Sequence, residues 1–250
     1  MKTDAHGTSH GTNAKHHIPV ALVTGGSSGL GRALVLGLAE IGWTVVTDAR
    51  HSAALTDLTH PGVVAITGDV TDAAHRADLV AALERLGGLD LLVHNASTLG
   101  PTPLPPLREA TADTIPEVIR TNLGAPILLT AACLPLLTAS RGTLLSISSD
   151  AAVEHYEGWG LYGASKAALD HATLTFAVET PDISAYAVDP GDMRTPMHQA
   201  AFPGEDITDR TLPETVVPHL LALLAARPPS GRYRAHDVPA PAPAVEVAAR

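Results

Sequence analysis

The chain has 250 residues, which is enough for one α/β domain with a sizeable buried core. Acidic residues outnumber Lys and Arg by 26 to 16, giving a formal net charge of −10 without a basic stripe, so no nucleic-acid partner is expected. The first seventeen residues lack the apolar core of a secretory signal, and no run reaches the ~18 apolar residues of a membrane span. With Cys133 as the only cysteine, these features predict a soluble, cytoplasmic protein without an intrachain disulfide.

Short apolar runs alternate with helical patterns along the chain. The runs predict seven strands, at 19–24, 44–48, 63–67, 89–93, 142–148, 183–188 and 231–235. Helices are predicted between them, at 29–41, 72–86, 111–138, 160–179 and 213–226. A break is expected within the third helix, near Asn122 to Gly124, because Pro126 follows. The strand runs are continuous, as is typical of strands buried on both faces, so we predict a single-domain α/β fold of the Rossmann type, a doubly wound parallel sheet with helices on both faces.

Two terminal segments lack the patterns of a folded domain. Residues 1–17 are polar and residues 236–250 alternate Pro and Ala, so both are predicted to be disordered around a folded domain at 18–235. Nothing apolar anchors the four histidines of the first segment, and no metal site is predicted there. These histidines are His6, His10, His16 and His17.

A glycine-rich loop follows the first strand and opens the first helix. Glycines permit a tight turn and a close approach of the backbone to a pyrophosphate, and the helix N-terminus offers unpaired N–H groups and a positive dipole end. Between a buried strand and a helix, the loop predicts a dinucleotide site. It reads Thr24-Gly25-Gly26-Ser27-Ser28-Gly29-Leu30-Gly31, and the expected ligands are Gly25, Ser27, Ser28, Gly29, Leu30 and Gly31.

Tyr162 and Lys166 lie four residues apart on a helical pattern, so both side chains emerge on one face. An ammonium beside a phenol favours the phenolate, which would allow Tyr162 to exchange a proton with a carbonyl or alcohol oxygen. Ser149 ends a buried strand thirteen residues earlier, and its hydroxyl would hydrogen-bond the same oxygen. Ser146 and Ser148 are neighbouring alternatives for that role.

Together, these motifs resemble the short-chain dehydrogenase/reductase family over roughly residues 18–235. The loop spacing TGxxxGxG, Ser149 and the Tyr-x-x-x-Lys motif YGASK occur in the family's order. The resemblance implies a catalytic set of Asn122, Ser149, Tyr162 and Lys166, in which Lys166 also holds the nicotinamide ribose and Asn122 anchors a water that links Lys166 to solvent. It also implies cofactor contacts at Asp69, Val70, Asn95, Ala96, Ser97, Tyr162, Lys166, Pro190, Gly191, Met193 and Thr195.

The sequence departs from the family pattern at the end of the fourth strand. The family's NNAG reads His94-Asn95-Ala96-Ser97 here, with Asn95 and Ala96 retained. We interpret the two replacements as altered local packing.

The residues that end the second strand bear on the choice of cofactor. An acidic residue about twenty positions past the loop normally accepts the ribose hydroxyls of NAD, whereas an arginine accommodates the 2′-phosphate of NADP. Both charges occur here, in Asp48-Ala49-Arg50. Counted as in the family, Ala49 takes the acidic position and Arg50 the phosphate-binding one. This favours NADP(H), with NAD bound through Asp48 as the alternative.

The predicted function is hydride transfer between NADP(H) and the carbonyl/alcohol pair of a small or medium organic molecule, as in an alcohol dehydrogenase or ketoreductase. Alternatives are a lyase or epimerase with tightly held cofactor and a non-catalytic, cofactor-binding regulatory protein. The segment 196–212 is the expected substrate lid, and relatives pair helices matching 123–137 and 162–179, which implies a homodimer or homotetramer. The residues expected to line the substrate pocket are Glu154, His155, Tyr156 and Trp159.

Overall fold

Seven parallel strands form one sheet in the computed structural model, which describes residues 17–240. Their order is β3-β2-β1-β4-β5-β6-β7, so the connections reverse direction between β1 and β4. The strands are β1 (Val20–Val23), β2 (Thr44–Ala49), β3 (Val63–Thr67), β4 (Leu91–His94), β5 (Thr143–Ile147), β6 (Ser184–Asp189) and β7 (Gly231–Arg234). This topology confirms the predicted doubly wound fold, and ligands of such folds bind where the strand order reverses.

Helices cover both faces of the sheet. They are α1 (Gly29–Glu40), α2 (Ala73–Leu86), α3 (Thr114–Ile119), α4 (Ala125–Ser140), α5 (Gly160–Glu179), α6 (Pro196–Ala201) and α7 (Pro213–Ala226). Side chains alternate along each strand, so that Leu91 packs with α1 and α7 while Leu92 packs with α2 and α4. The short helix α6 lies inside the predicted lid and was not predicted as a helix.

Strand exposure depends on position in the sheet. The residues of β1, β4 and β5 are all buried, as the continuous apolar runs predict. In β3 and β7 every residue is at least partly exposed, so the prediction of burial on both faces is wrong for these two strands. The reason is that both are edge strands, with a neighbouring strand on one side only.

The predicted break near Asn122 is a single π-helical turn, Arg120–Gly124, that joins α3 to α4. Pro126 has no N–H to donate to the Asn122 carbonyl, and the helix widens instead of stopping. The joined helix, Thr114–Ser140, is also long and apolar enough to span a membrane by length and composition, contrary to the sequence expectation. On this helix Leu129 and Leu137 are fully buried in the core.

The described structure continues beyond both predicted ends of the domain. Residues 235–237 form a short 3₁₀ turn, and the Val238 carbonyl contacts His219 Nδ1 on α7 at 2.6 Å. The prediction of disorder from residue 236 onward is therefore wrong for residues 236–238, because Val238 packs against the core. At the other end, His17 Nε2 lies 3.0 Å from the Asp90 carboxylate. The remaining predicted tails, 1–16 and 241–250, lie outside the described residues.

Candidate active site

A cleft of about 650 Å³ opens at the carboxyl ends of the strands, across the switch between β1 and β4. The glycine loop lies at one end, and Ser149, Tyr162 and Lys166 lie at the other. Loops that follow parallel strands all emerge at this edge, which is why residues far apart in sequence meet here.

The glycine loop has the geometry of a phosphate cradle. Gly25 adopts a φ of +69°, and a Cβ on it would lie 2.9 Å from Ala96 Cα, so only glycine fits. Ser28 is the N-cap residue of α1, yet its side chain makes no capping hydrogen bond. The first-turn N–H groups of α1 therefore stay without a side-chain cap at the cleft wall formed by Ser28, Gly29 and Leu30. This arrangement fits a pyrophosphate.

Asp48 braces this loop. Its Oδ1 accepts a hydrogen bond from the Gly25 N–H at 2.7 Å, and its Oδ2 lies 3.0 Å from His75 Nε2 on α2. Both carboxylate oxygens are thus engaged within the protein, and the residue is only 2% exposed. Asp48 also lines the cleft, so its role here is to hold the loop, and its two oxygens are already engaged by Gly25 and His75 where a ribose would otherwise be their partner.

Arg50 and Asp69 lie at the cleft wall beside Ala49. Arg50 is exposed and, among residues 17–240, forms no ion pair with a carboxylate. Burial raises the pKa of the Asp69 carboxyl, but hydrogen bonds from Thr71 and the Arg50 charge outweigh burial and leave that pKa below its usual value. A charged guanidinium is therefore free at the wall of the cleft.

The end of β4 fastens the loop from the other side. Asn95 Nδ2 donates to the Thr24 and Gly25 carbonyls at 2.9 and 3.1 Å, and the Thr24 hydroxyl accepts from the Asn95 and Ala96 N–H groups. His94 points into the core, with Nε2 at 2.6 Å from the Thr130 hydroxyl. Burial lowers the pKa of His94 to about 3, so the ring is neutral. The His94 replacement therefore contributes to core packing, whereas Ser97, the other replacement, lines the cleft and donates to Asn122 Oδ1 at 3.2 Å.

Asn122 has a supporting role in this structure. Its Oδ1 accepts from the Thr98 N–H and the Ser97 hydroxyl at 2.8 and 3.2 Å. Its Nδ2 donates to the Thr98 carbonyl and the Ser165 hydroxyl, both at 2.9 Å. The hydrogen-bonding capacity of the amide is filled, and Asn122 does not line the cleft. Its side chain cannot hold the expected water.

Ser149 precedes a 3₁₀ turn, and its hydroxyl donates to Asp150 Oδ1 at 3.0 Å. The alternative serines bond away from the cleft. Ser148 donates to Asp170 at 2.7 Å, and the Ser146 hydroxyl pairs with Thr173, also at 2.7 Å. Ser148 and Ser149 both line the cleft, but the Ser149 hydroxyl bonds to Asp150 within the cleft wall, whereas Ser148 bonds to Asp170, which does not line the cleft.

Tyr162 and Lys166 share one face of α5, as predicted. Lys166 Nζ donates to the Ile147 carbonyl at 2.8 Å and lies 5.6 Å from the centre of the Tyr162 ring. Burial lowers the pKa of Lys166 to about 8, and the Asp170 carboxylate partly opposes that shift. Burial raises the pKa of Tyr162, against hydrogen bonding with Ser149 and Ser97. The expected lowering of the Tyr162 pKa by Lys166 is therefore not present in this structure, because burial dominates.

Sequence reasoning missed Arg232 on β7. Its Nε donates to Asp170 Oδ2 at 3.0 Å, and its NH2 group donates to the Ser149 carbonyl at 2.8 Å. The same group lies 3.8 Å from Asp189 Oδ2. One guanidinium thus links the segments that carry Ser149 and Lys166. In the sequence, the signal that could have pointed to Arg232 is Asp170, one helical turn after Lys166. A carboxylate buried at that position needs a charged partner.

The outer part of the cleft, beyond Tyr162, is lined by aromatic rings. Trp159 meets Tyr162 edge to face, with centroids 5.6 Å apart, and lies 6.0 Å from Phe202. Tyr156 also lines the cleft and donates to Asp150 at 2.9 Å. The other two predicted pocket residues, Glu154 and His155, are exposed and do not line it.

The family model described as short chain dehydrogenase matches residues 19–206 of the chain. The chain belongs to the short-chain dehydrogenase/reductase family. Among its relatives in the family, a short chain dehydrogenase of Penicillium thymicola is 38% identical over 172 residues, which are 63% of this chain and 61% of that protein. An uncharacterized oxidoreductase of Saccharomyces cerevisiae is 34% identical over 184 residues, covering 71% of this chain and 72% of that protein.

Solved structures of family members share the fold. A short chain dehydrogenase from Shigella flexneri, complexed with NADP, superposes with a TM-score of 0.81 at 28% identity, covering 87% of this chain and 97% of that one. A short chain dehydrogenase from Escherichia coli, complexed with NADPH, gives a TM-score of 0.78 at 29% identity, covering 87% of this chain and 96% of that one.

The structure brings nearly all predicted site residues of this family member to one cleft. Of the predicted catalytic and cofactor-binding residues, two do not line it, namely Asn122 and Gly31. A Cβ on Gly31 would lie 2.3 Å from Asn95 Nδ2, so this glycine allows α1 to pack against the end of β4. The residues that line the cleft are Gly25, Ser27, Ser28, Gly29, Leu30, Asp48, Arg50, Asp69, Val70, Asn95, Ala96, Ser97, Ser149, Tyr162, Lys166, Pro190, Gly191, Met193 and Thr195.

Proposed function

We propose that this family member is an oxidoreductase that transfers hydride between NADP(H) and the carbonyl/alcohol pair of a small or medium organic molecule. The observation that carries the proposal is the convergence of Ser149, Tyr162 and Lys166 at one end of a cleft whose other end is the glycine loop. When bound there, the nicotinamide supplies or accepts the hydride.

The residues at the glycine-loop end fit a dinucleotide. The uncapped N–H groups at the start of α1 would bind the pyrophosphate. Asp69 and Val70 would contact the adenine, and Asn95 and Ala96 would hold the loop in place. Pro190, Gly191, Met193 and Thr195 would close over the nicotinamide.

Arg50 supports NADP(H) over NAD(H). Its guanidinium is exposed at the cleft wall, offers a planar fork of donors and stays charged at every working pH. Asp48 is the residue that would accept the hydroxyls of an unphosphorylated ribose, but its carboxylate already bonds to Gly25 and His75. The NADP and NADPH complexes of the Shigella and Escherichia relatives agree with this preference.

Tyr162 would transfer the proton. In reduction, the buried phenol is protonated at neutral pH, since burial raises its pKa, and it can donate to the carbonyl oxygen. The Ser149 hydroxyl would hydrogen-bond the same oxygen and stabilise the developing charge. In oxidation, Tyr162 must act as the phenolate. The Lys166 ammonium, 5.6 Å from the ring centre, would favour that form by its charge, but burial outweighs this effect in the structure.

Replacing Tyr162 by Phe tests this function. Loss of the proton donor should lower kcat by about 10²- to 10⁴-fold while the dissociation constant of NADPH changes little. Cofactor absorbance with a panel of ketones, aldehydes and alcohols measures turnover. Tyr233→Phe, on β7 and outside the cleft, is the matched control and should keep full activity. A Tyr162→Phe enzyme with more than half the activity would overturn the assignment. Product formed without net change in cofactor would indicate a lyase or epimerase.

The surfaces of α4 and α5 support a homodimer or homotetramer. On α4, Leu128 is 53% exposed and Ile127 is 37% exposed. On α5, Val178 is 83% exposed. Pairing these two helices across a two-fold axis would cover this apolar surface.

A further inference from the structure

Aromatic residues are concentrated in the outer part of the cleft. The chain has only eight of them, two Phe, two Trp and four Tyr. Four line this one cleft, namely Tyr156, Trp159, Tyr162 and Phe202. Met193 and Met197 line it as well, although the chain has only three methionines. In a protein whose core is built almost entirely from aliphatic side chains, this concentration indicates a specific ligand surface.

The rings form a continuous wall that begins at the proton-transfer residue. Trp159 packs edge-on against Tyr162 at 73°, and the Phe202 ring follows at 6.0 Å. The Phe202 ring in turn lies 4.9 Å from the His198 ring, with the two planes tilted by 38°. A substituent on a carbonyl carbon near the Tyr162 hydroxyl would extend along this wall. Trp159 and Phe202 are only partly buried, so a ligand can still cover them.

The charges around the wall are acidic. Asp150 and Asp189 line the cleft next to Tyr162, and Asp192 lines it with a side chain that is 60% exposed. Two cations near this end are paired within the described chain. Arg210 lies 2.7 Å from Asp209 and 3.5 Å from Asp192, and Arg232 lies 3.0 Å from Asp170 and 3.8 Å from Asp189. Lys166 is held by the Ile147 carbonyl. The substrate end therefore disfavours a carboxylate or phosphate on the substrate.

We propose that the substrate is an uncharged carbonyl compound, or the corresponding alcohol, that carries an aromatic ring bound against Trp159 and Phe202. This inference rests on the proposed function for the identity of the reacting group. The soft thioether of Met197, which packs beside Tyr162 and Trp159, adds a contact that favours a flat π surface over a saturated ring. Aromatic pairs prefer edge-on and offset geometries, which the angled rings of the wall can offer to a third ring.

Two probes of closely similar size separate ring character from bulk. Phenylacetone and cyclohexylacetone place a planar and a saturated six-membered ring one methylene from an unconjugated ketone, so their carbonyls have similar intrinsic reactivity. A third probe, 4-(2-oxopropyl)benzoate, adds a carboxylate to the aromatic ring. Binding is measured in the presence of NADP by tryptophan fluorescence. In a Trp43→Phe background, Trp159 is the only tryptophan and reports directly on the wall.

The expected result is that phenylacetone binds about 10-fold more tightly than cyclohexylacetone, the size of one to two aromatic contacts. The benzoate derivative should bind at least about 10-fold more weakly than phenylacetone. Phe202→Leu should reduce the ratio between the first two probes to near one. Phe176→Leu, an aromatic replacement on α5 outside the cleft, should leave that ratio unchanged.

Turnover is measured separately with the same probes, so that the aromatic-ring site and the hydride-transfer function are tested independently. Equal binding of phenylacetone and cyclohexylacetone overturns the aromatic-ring proposal, whether or not the ketones are reduced. Equal binding of the benzoate derivative overturns the requirement for an uncharged ligand. A ring preference that depends on Phe202, with no cofactor consumption on any ketone or alcohol, supports the ring site and overturns hydride transfer as its function.

Discussion

Replacing Arg232 by Ala removes the guanidinium that bonds Asp170 and the Ser149 carbonyl. Asp170 is 8% exposed, so its carboxylate would remain buried with the Ser148 hydroxyl as a partner. Breaking a buried ion pair by removing one partner typically costs about 3–5 kcal/mol. Because the Arg232 side chain is 23% exposed, water can replace part of the lost contact. We therefore expect a loss near the lower end, about 3 kcal/mol, which lowers Tm by roughly 6–12 °C for a chain of this size.

The loss of folding stability in Arg232→Ala should become larger as the pH rises. Burial already raises the pKa of the Asp170 carboxyl, against hydrogen bonds from Ser148 and Arg232. Without Arg232 this pKa rises further, and the folded variant binds a proton more tightly than the unfolded chain does. The stability deficit is then smallest below the unfolded value of 3.8 and grows as the pH rises through the raised pKa.

Urea denaturation of the wild type and the variant at pH 5 and pH 8, conditions chosen on either side of neutrality, measures both effects. Arg234→Ala is the matched control on the same strand. The Arg234 side chain is 46% exposed and lies 3.9 Å from Asp189, so its loss should cost less than about 1 kcal/mol. Adding Asp170→Asn to Arg232→Ala should recover part of the lost stability. Equal effects of the two arginine variants, or a deficit that grows toward acid pH, would refute the reasoning.

Three further outcomes are expected. Arg50→Ala should lower kcat/KM for NADPH by about 10- to 150-fold and leave that for NADH nearly unchanged, and steady-state kinetics showing equal losses would count against a phosphate contact. Lys166→Ala should weaken NADPH binding as well as turnover, measured by fluorescence titration, whereas an unchanged dissociation constant with normal turnover would remove it from the site. Light scattering should give at least twice the chain mass of 25.8 kDa for the wild type and a smaller assembly for Leu128→Glu; a wild-type monomer would contradict the proposed interface.

The strands and most helices could be predicted from the sequence because local patterns determine them. Continuous apolar runs place each strand within two residues of its observed bounds, and 160–179 is reproduced as α5 without a shift. The glycine loop and the pair Tyr162 and Lys166 are also local, since a fixed spacing on one element sets their positions. What these residues do in the reaction stays a prediction.

The features that escaped prediction depend on contacts between distant segments. Asp48 sits at a strand end, where alternation is unreliable, and its orientation is fixed by His75 on α2. Arg232 acquires its role from Asp170, 62 residues earlier in the chain. The exposure of β3 follows from its place at the sheet edge, which no single strand reveals.

Because Asp48 bonds to both Gly25 and His75, it should be left unchanged when the cofactor selectivity of this protein is altered. The carboxylate preorganises the loop before any nucleotide arrives, because the second strand, the second helix and the loop meet at this one side chain. Changing Asp48 to tune selectivity would therefore damage the binding of both NADH and NADPH. The position open to an engineer is Ala49, which lines the cleft and is partly exposed. An acidic residue placed there, together with the loss of Arg50, would offer the ribose hydroxyls a new acceptor and leave the preorganised loop intact.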